Sequence, residues 1–376
     1  MLPAPRGETP SLADVLTGAF AAMSASANRL ELPAVRSAAV LLVDGLGMSA
    51  LQQRDGHARR LLAAIPAQGG VIESGFPTTT ASALATLTTG RSAGEHGLVG
   101  YRVIDHARDR VVNQLTGWDA GMDPLTWQPY PTVFERAAAE GVDAVVVGAE
   151  RYRDTGFTEA VLRGARFEAR RSIRERIAAG VELVRGPERR LVYIYVPELD
   201  MAGHSQGIDS PLWTQRLDEL DAGLSALDGA LPTDTGVLLT ADHGMLDVPP
   251  HRRLLLAVND PLWQGIRHVA GEPRCLHLGL NDPLQTEAIR DRWLDAEGGR
   301  SWVVTRDEAI KADWFGPVSD DALGRIGDVI VAARAQVAYY DERTATKRSL
   351  AMVGQHGSFS LQEQRVPLAR WGAFAR

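Results

Sequence analysis

Scarcity narrows the chemistry of this 376-residue chain before any motif does. It has one cysteine, Cys275, so no disulfide can close within it and a thiolate metal centre is excluded. It has no surplus of positive charge: the formal net charge is -7, which argues against nucleic-acid binding as the main role. An acidic protein that handles phosphate needs local positive charge, and bound metal ions are one way to supply it. No apolar run is long enough to cross a bilayer, and the first ten residues lack the charged-then-apolar pattern of a signal peptide. The expectation is therefore a cytoplasmic protein with no membrane segment. With 45% hydrophobic and 23% charged residues, a large α/β core is within reach.

Short apolar runs bounded by turn residues fit strands buried on both faces, as in a parallel sheet. Ala38 to Val43, Val142 to Val147, Leu191 to Val196 and Gly236 to Thr240 are such runs. Helical spacing falls between or before them: Ser11 to Met23 with Ser11 as cap, Thr132 to Glu140, Ser172 to Val184 and Pro211 to Leu231. This alternation predicts a doubly wound, mostly parallel sheet with helices on both faces. From about residue 250 to 341 the pattern becomes mixed. Strands are expected at Arg274 to Leu280, Trp302 to Thr305, Asp328 to Ala333 and Gln336 to Tyr340, and a helix at Pro283 to Asp295. We read that stretch as a small α+β insertion into a core made of residues 1–249 and 342–376.

Three of the strand-like runs end at an acidic residue, on the edge where open α/β sheets bind ligands. These are Asp44, Asp200 with His204 four residues on, and Asp242 followed by His243; His356 stands in a later Gly-Gln-His-Gly segment. Singly, each reads as a turn or cap. Together, three carboxylates and three imidazoles suit zinc, manganese or iron. Six ligands exceed one tetrahedral shell and suit two ions roughly 3.5–4 Å apart. A further element is Phe76-Pro77-Thr78-Thr79-Thr80, which opens a small-residue helix closed by Gly90. One of these threonines should sit at the helix start, near free N–H groups that favour an anion.

These pieces resemble the alkaline phosphatase superfamily, and within it the type I phosphodiesterase / nucleotide pyrophosphatase family. The resemblance rests on Val43-Asp44-Gly45, Phe76 to Thr80 running on to Thr89-Gly90, and Glu95-His96-Gly97-Leu98-Val99-Gly100. It continues through Asp200-Met201-Ala202-Gly203-His204, Ala241-Asp242-His243-Gly244-Met245 and Gly354-Gln355-His356-Gly357, in family order across almost the whole chain. It implies that Asp44, Asp242 and His243 hold one ion, which Thr80 also approaches, and that Asp200, His204 and His356 hold the other. It selects Thr80 over Thr78 and Thr79 as nucleophile and implies zinc, a phospho-threonine intermediate and a small phosphate-ester substrate. It implies a loop role for His96 and none at the site for His57, His106, His251, His268 or His277. The asparagine usual a few residues after the nucleophile is replaced by Ala83, so Tyr101 and Arg102 are the candidate replacement donors. A sulfatase is excluded, because Cys275 does not stand in a Cys/Ser-x-Pro-x-Arg setting. Diesters or pyrophosphates are the expected substrates. Monoester, phosphonate and mutase chemistry are the alternatives, and a non-catalytic metal-binding scaffold is the competing class.

Overall fold

The computed structural model describes every residue except 1, 5, 6, 8, 230 and 376. Its central sheet has five parallel strands: β1 Ser37–Val43, β2 Asp143–Gly148, β3 Arg166–Ala169, β4 Arg190–Val196 and β5 Thr235–Thr240. One antiparallel edge strand, β10 Ala369–Gly372, pairs with β5, giving the order β10-β5-β1-β4-β2-β3. All seven residues of β1 and all six of β5 are buried, as their unbroken apolar runs require. Against this sheet or beside it lie α1 Ala13–Met23, α2 Thr80–Thr89, α3 Ile173–Arg185, α4 Glu198–Gln206 and α5 Pro211–Gly223.

A second sheet is wholly antiparallel, in the order β6-β7-β9-β8: β6 Ile266–Glu272, β7 Cys275–Leu280, β8 Ser301–Thr305 and β9 Val329–Ala333. Helix α6, Thr286–Glu297, covers one face. Side-chain alternation along β9 divides two cores: Val329, Val331 and Ala333 join Trp263 and Trp293 under α6, whereas Ile330 and Ala332 join the main core. One face of the second sheet therefore contributes to the main core.

Several expected boundaries shift for local reasons. Ser11 does not cap α1; its N–H and hydroxyl both donate to Asp14, and it bridges Glu73. The helix begun at Pro211 ends at Gly223 and continues as a single tighter turn, Leu224–Leu227; the last part of the expected helix includes residue 230, outside the described residues. Thr132 does cap its helix, with Glu135 returning the bond to the Thr132 N–H. Strand β6, the Arg102–Asp105/Arg110–Asn113 hairpin and β10 carry polar or arginine-rich sequences that hide their period from a sequence reading. Trp127, Trp263 and Trp314 are core residues, and Trp118 packs at the core's margin.

Candidate active site

The site is assembled from strand ends. The β1–β4 pairing runs one residue past β1, where the Asp44 N–H donates to the Val196 carbonyl, and the Asp200 N–H in the first turn of α4 donates back to the Asp44 carbonyl. Gly45, at φ 74°, turns the chain away where a Cβ would lie 3.0 Å from the Asp200 Cα. Helix α4 then carries Asp200 and His204 one turn apart, on one side. Asp242 and His243 follow β5. Gly244 lets three backbones meet there: a Cβ on it would stand 1.9 Å from the Gln362 carbonyl oxygen. His356 follows the two-residue strand Gly354–Gln355, paired with Leu246–Asp247. Thr80 is the first residue of α2, behind Thr79 in extended conformation at the cap position.

The seven residues converge. Thr80 Oγ1 lies 3.2 Å from His243 Nε2, which lies 3.6 Å from Asp44 Oδ1 and 3.5 Å from Asp242 Oδ2. His204 Nε2 is 3.3 Å from Asp200 Oδ1 and 3.2 Å from His356 Nε2. Two triads have donor atoms mutually within 4.8 Å: Asp200, His204 and His356, and Asp44, Asp200 and His243. Asp200 thus borders both halves. Asp44, Asp242 and His243 are buried, whereas Asp200, His204 and His356 are partly open, so solvent reaches the cluster from the latter side.

Each imidazole is oriented from behind. Nδ1 of His204, His243 and His356 lies 2.8 Å, 3.1 Å and 2.8 Å from the carbonyls of Gly354, Gly244 and Thr78. A carbonyl cannot donate, so each Nδ1 carries the proton and each Nε2 lone pair points into the cluster. The facing Nε2 atoms of His204 and His356 then present two lone pairs to each other. The carboxylates repeat the pattern. Asp242 Oδ1 accepts from the N–H groups of Gly45 and His243, and Asp44 Oδ2 accepts from the Tyr195 hydroxyl. Their other oxygens, Asp44 Oδ1 and Asp242 Oδ2, are buried without a partner, as is Asp200 Oδ1. Buried unpaired carboxylate oxygens are costly. Burial and then the neighbouring Asp242 and Asp200 carboxylates push Asp44 well above the ordinary carboxylate range. Burial likewise raises Asp242, against the lowering effect of His243. Burial, with His243 and His204, pushes His356 well below the usual imidazole range. Three inward oxygens without a partner and three inward nitrogens bearing lone pairs, that of His243 facing the Thr80 hydroxyl, are the donor set that divalent cations satisfy.

Sequence reading passed over the residues that hold this set in place. The Thr78 hydroxyl donates to the Ser358 carbonyl and accepts from the Gly357 N–H, tying the threonine loop to the His356 loop. Glu363, fully buried, accepts from the Ser358 N–H and makes a two-pronged pair with the equally buried Arg274 at 2.7 Å and 2.8 Å; its carbonyl accepts from the Gly244 N–H. Burial alone would raise the Glu363 carboxyl, but Arg274 together with the Ser360 and Ser358 bonds offsets it and holds it low. Only the spacing Ser360-x-x-Glu363, a helix-start box, hinted at this residue. Of the expected donors, Tyr101 gives its N–H to Glu272 Oε2, and Arg102 Nε points to the Gly271 carbonyl 3.4 Å away. Ala83 is buried inside α2. His96 is buried, 3.0 Å from Thr86 Oγ1, with Nδ1 accepting from the Leu98 N–H. His57 and His268 pair with surface aspartates, His277 is buried in β7, and His106 and His251 are exposed.

Fold and cluster together define an α/β protein with a carboxylate–imidazole centre at the carboxyl edge of a mostly parallel sheet. The chain belongs to the type I phosphodiesterase / nucleotide pyrophosphatase family, whose model matches residues 38–359. The chain spans about two fifths of the length of the curated relatives it matches. It is 28% identical over 192 residues to a phosphopentomutase of Deinococcus radiodurans; the match takes in 50% of this chain and 42% of that protein. Two solved structures share the fold. Murine ectonucleotide pyrophosphatase / phosphodiesterase 5, as an inactive variant in complex with AMP, aligns with TM-score 0.68 at 17% identity, covering 89% of this chain and 87% of that one. Phosphonoacetate hydrolase from Sinorhizobium meliloti 1021, in complex with phosphonoacetate, aligns with TM-score 0.69 at 19% identity, covering 90% and 91%. Among the described residues no helix is long and apolar enough to cross a membrane.

Proposed function

We propose that this protein is a metal-dependent hydrolase of phosphoric esters, of the phosphodiesterase or nucleotide pyrophosphatase type, with Thr80 as nucleophile. The observation that carries the reading is the convergence of three buried, unpartnered carboxylate oxygens and three lone-pair-bearing imidazole nitrogens beside the Thr80 hydroxyl. Asp44, Asp242 and His243 would hold one divalent ion and Asp200, His204 and His356 the second, zinc being the expected metal and manganese or iron acceptable to the same donors. When bound, the ions supply the positive charge that favours ionisation of the Thr80 hydroxyl and of a water, and that balances the anionic phosphoryl group.

The chain's own part follows from its geometry. Thr80 Oγ1 bonds to phosphorus as the bond to the leaving oxygen breaks, giving a phospho-threonine and a released alcohol or phosphate. Water then cleaves the Thr80 ester, returns the hydroxyl its proton and releases the phosphorylated product. The first turn of α2 presents free N–H groups to the phosphoryl oxygens, and burial of Thr80 limits competing water. Phosphonate hydrolysis and phosphoryl transfer between positions of a sugar are the second reading, favoured by the named similarities and by Ala83 in place of a polar side chain.

The test is turnover of a bis-aryl phosphodiester with and without chelator, then in Thr80→Ala. We expect chelator-sensitive turnover and a loss in Thr80→Ala of at least ~10³-fold with metal content retained. Undiminished turnover in Thr80→Ala sinks the mechanism, and no turnover on any diester, monoester, pyrophosphate or phosphonate favours a metal-binding scaffold.

A further inference from the structure

Most described arginine side chains meet carboxylates or carbonyls, and Arg151 is among those that meet neither. It lies in the single turn Glu150–Tyr152 after β2, on the same sheet edge as the cluster and next to β4, the strand that leads to Asp200. Its adjacent carboxylate, Glu150, is turned to Arg153 instead, at 3.0 Å. Among the described residues no carboxylate lies within ion-pair distance of Arg151. Yet its guanidinium is not loose. It stacks on the Tyr152 ring, with Cζ 4.8 Å from the ring centre, and Nη2 lies 3.0 Å from both the Tyr152 hydroxyl oxygen and Met201 Sδ.

Both partners lead to the cluster. Met201 follows Asp200 directly and is 48% exposed, so this contact lies at the rim on the open side. The Tyr152 ring packs edge-on against Tyr195, 5.4 Å between centres, and the Tyr195 hydroxyl donates to Asp44. Burial, against the lowering effect of Arg151 and helped by the Asp44 and Asp200 charges, raises the Tyr152 hydroxyl above its ordinary range, so it remains protonated. Because Arg151 donates to that oxygen, the hydroxyl hydrogen is free to donate outward. The result is a fixed cation and a fixed O–H donor at the mouth of an acidic centre.

We infer that Arg151 and Tyr152 receive a second oxyanion of the substrate, a carboxylate or phosphate borne on a group attached to the reacting phosphorus, so that preferred substrates carry negative charge beyond the phosphoryl group under attack. This rests on reading the cluster as a phosphoryl-transfer site. A neutral substituent gains nothing from the guanidinium, whereas a charge-assisted pair with a planar carboxylate or a phosphate is geometrically matched to it.

The test compares 4-nitrophenyl phosphodiesters whose second ester is phenyl, 4-carboxyphenyl or 4-phosphophenyl. Wild type should favour the two anionic esters, and Arg151→Gln should lower that preference by about 10- to 100-fold, chiefly through KM, as expected for one charged hydrogen-bonding group. Arg151→Lys should restore more of it for the phosphate than for the carboxylate, which tells the two sources apart. Equal losses on charged and neutral esters, or none, overturn the inference. Binding of phosphonoacetate against ethylphosphonate to metal-loaded protein separates it from the hydrolase reading. An Arg151-dependent advantage for phosphonoacetate without turnover of any ester keeps the anion site and discards the hydrolase. The absence of that advantage in an active enzyme discards the anion site alone.

Discussion

Every histidine of the centre is fixed by the nitrogen that faces away from it, and Asp44 and Asp242 are fixed in the same manner by their outward oxygens. Asp44 depends on one hydroxyl, that of Tyr195, which burial and the Asp44 charge keep protonated and therefore donating. Tyr195→Phe leaves Asp44 Oδ2 without its donor while preserving the ring contacts with Tyr193 and Tyr152. We expect metal affinity, read by competition with a chromogenic chelator, to fall about 10- to 100-fold, the range found when such outer partners are removed. An unchanged affinity would show that the Gly45 turn and the strand ladder alone orient the carboxylate. These outer partners were not legible in the sequence. A tyrosine five residues before Asp200 has no periodic or compositional mark, and only the β1–β4 register puts it beside Asp44.

At the scale of elements, the site is a junction of loops from strands far apart in sequence. Thr78 links two of them by two bonds through one hydroxyl. Thr78→Val keeps the shape and deletes both bonds, leaving a buried N–H and a buried carbonyl unpaired. The expected cost is about 1–3 kcal/mol in urea denaturation, with a fall in kcat although Thr80 is untouched. Wild-type kcat in a destabilised protein would assign Thr78 to stability alone. The main strands were legible because both faces are buried, so their apolar runs are unbroken. The threonine run was legible as a helix start, yet its three hydroxyls were interchangeable to spacing alone. Family resemblance selected Thr80, and the structure shows Thr78 engaged elsewhere and Thr80 turned to His243.

Across the whole molecule, the antiparallel sheet reaches the site through Arg274, whose pair with Glu363 is fully enclosed. Arg274→Met should destabilise by about 3–5 kcal/mol because it strands a buried carboxylate, and Arg274→Met with Glu363→Leu should recover part of that loss. Thermal melts of the two variants check the order. Acid sensitivity has a separate origin. Burial, then the Arg325 charge, holds His96 down at about 3, and burial holds His277 at about 4. Unfolding lets both rise to about 6.5. Above that pH neither form binds a proton and their contribution is complete. As pH falls below it only the unfolded chain gains protons, so stability declines until the folded values are reached. The accumulated loss should amount to about 2 kcal/mol per histidine by pH 5. Urea midpoints measured from pH 7 to 4 should fall less steeply in His96→Asn than in wild type.

The sequence alone determined the sheet class, the residue types of the centre and the kind of metal they suit, because buried parallel strands and donor chemistry are written locally. Tertiary structure decided the rest. It decided which carboxylate oxygens are left unpaired, which hydroxyl of the threonine run meets His243, and how Arg274 reaches the His356 loop. It also set Arg151 at the rim without a carboxylate partner. Those are relations between segments up to some three hundred residues apart, and no local pattern encodes a distance that only the folded sheet creates.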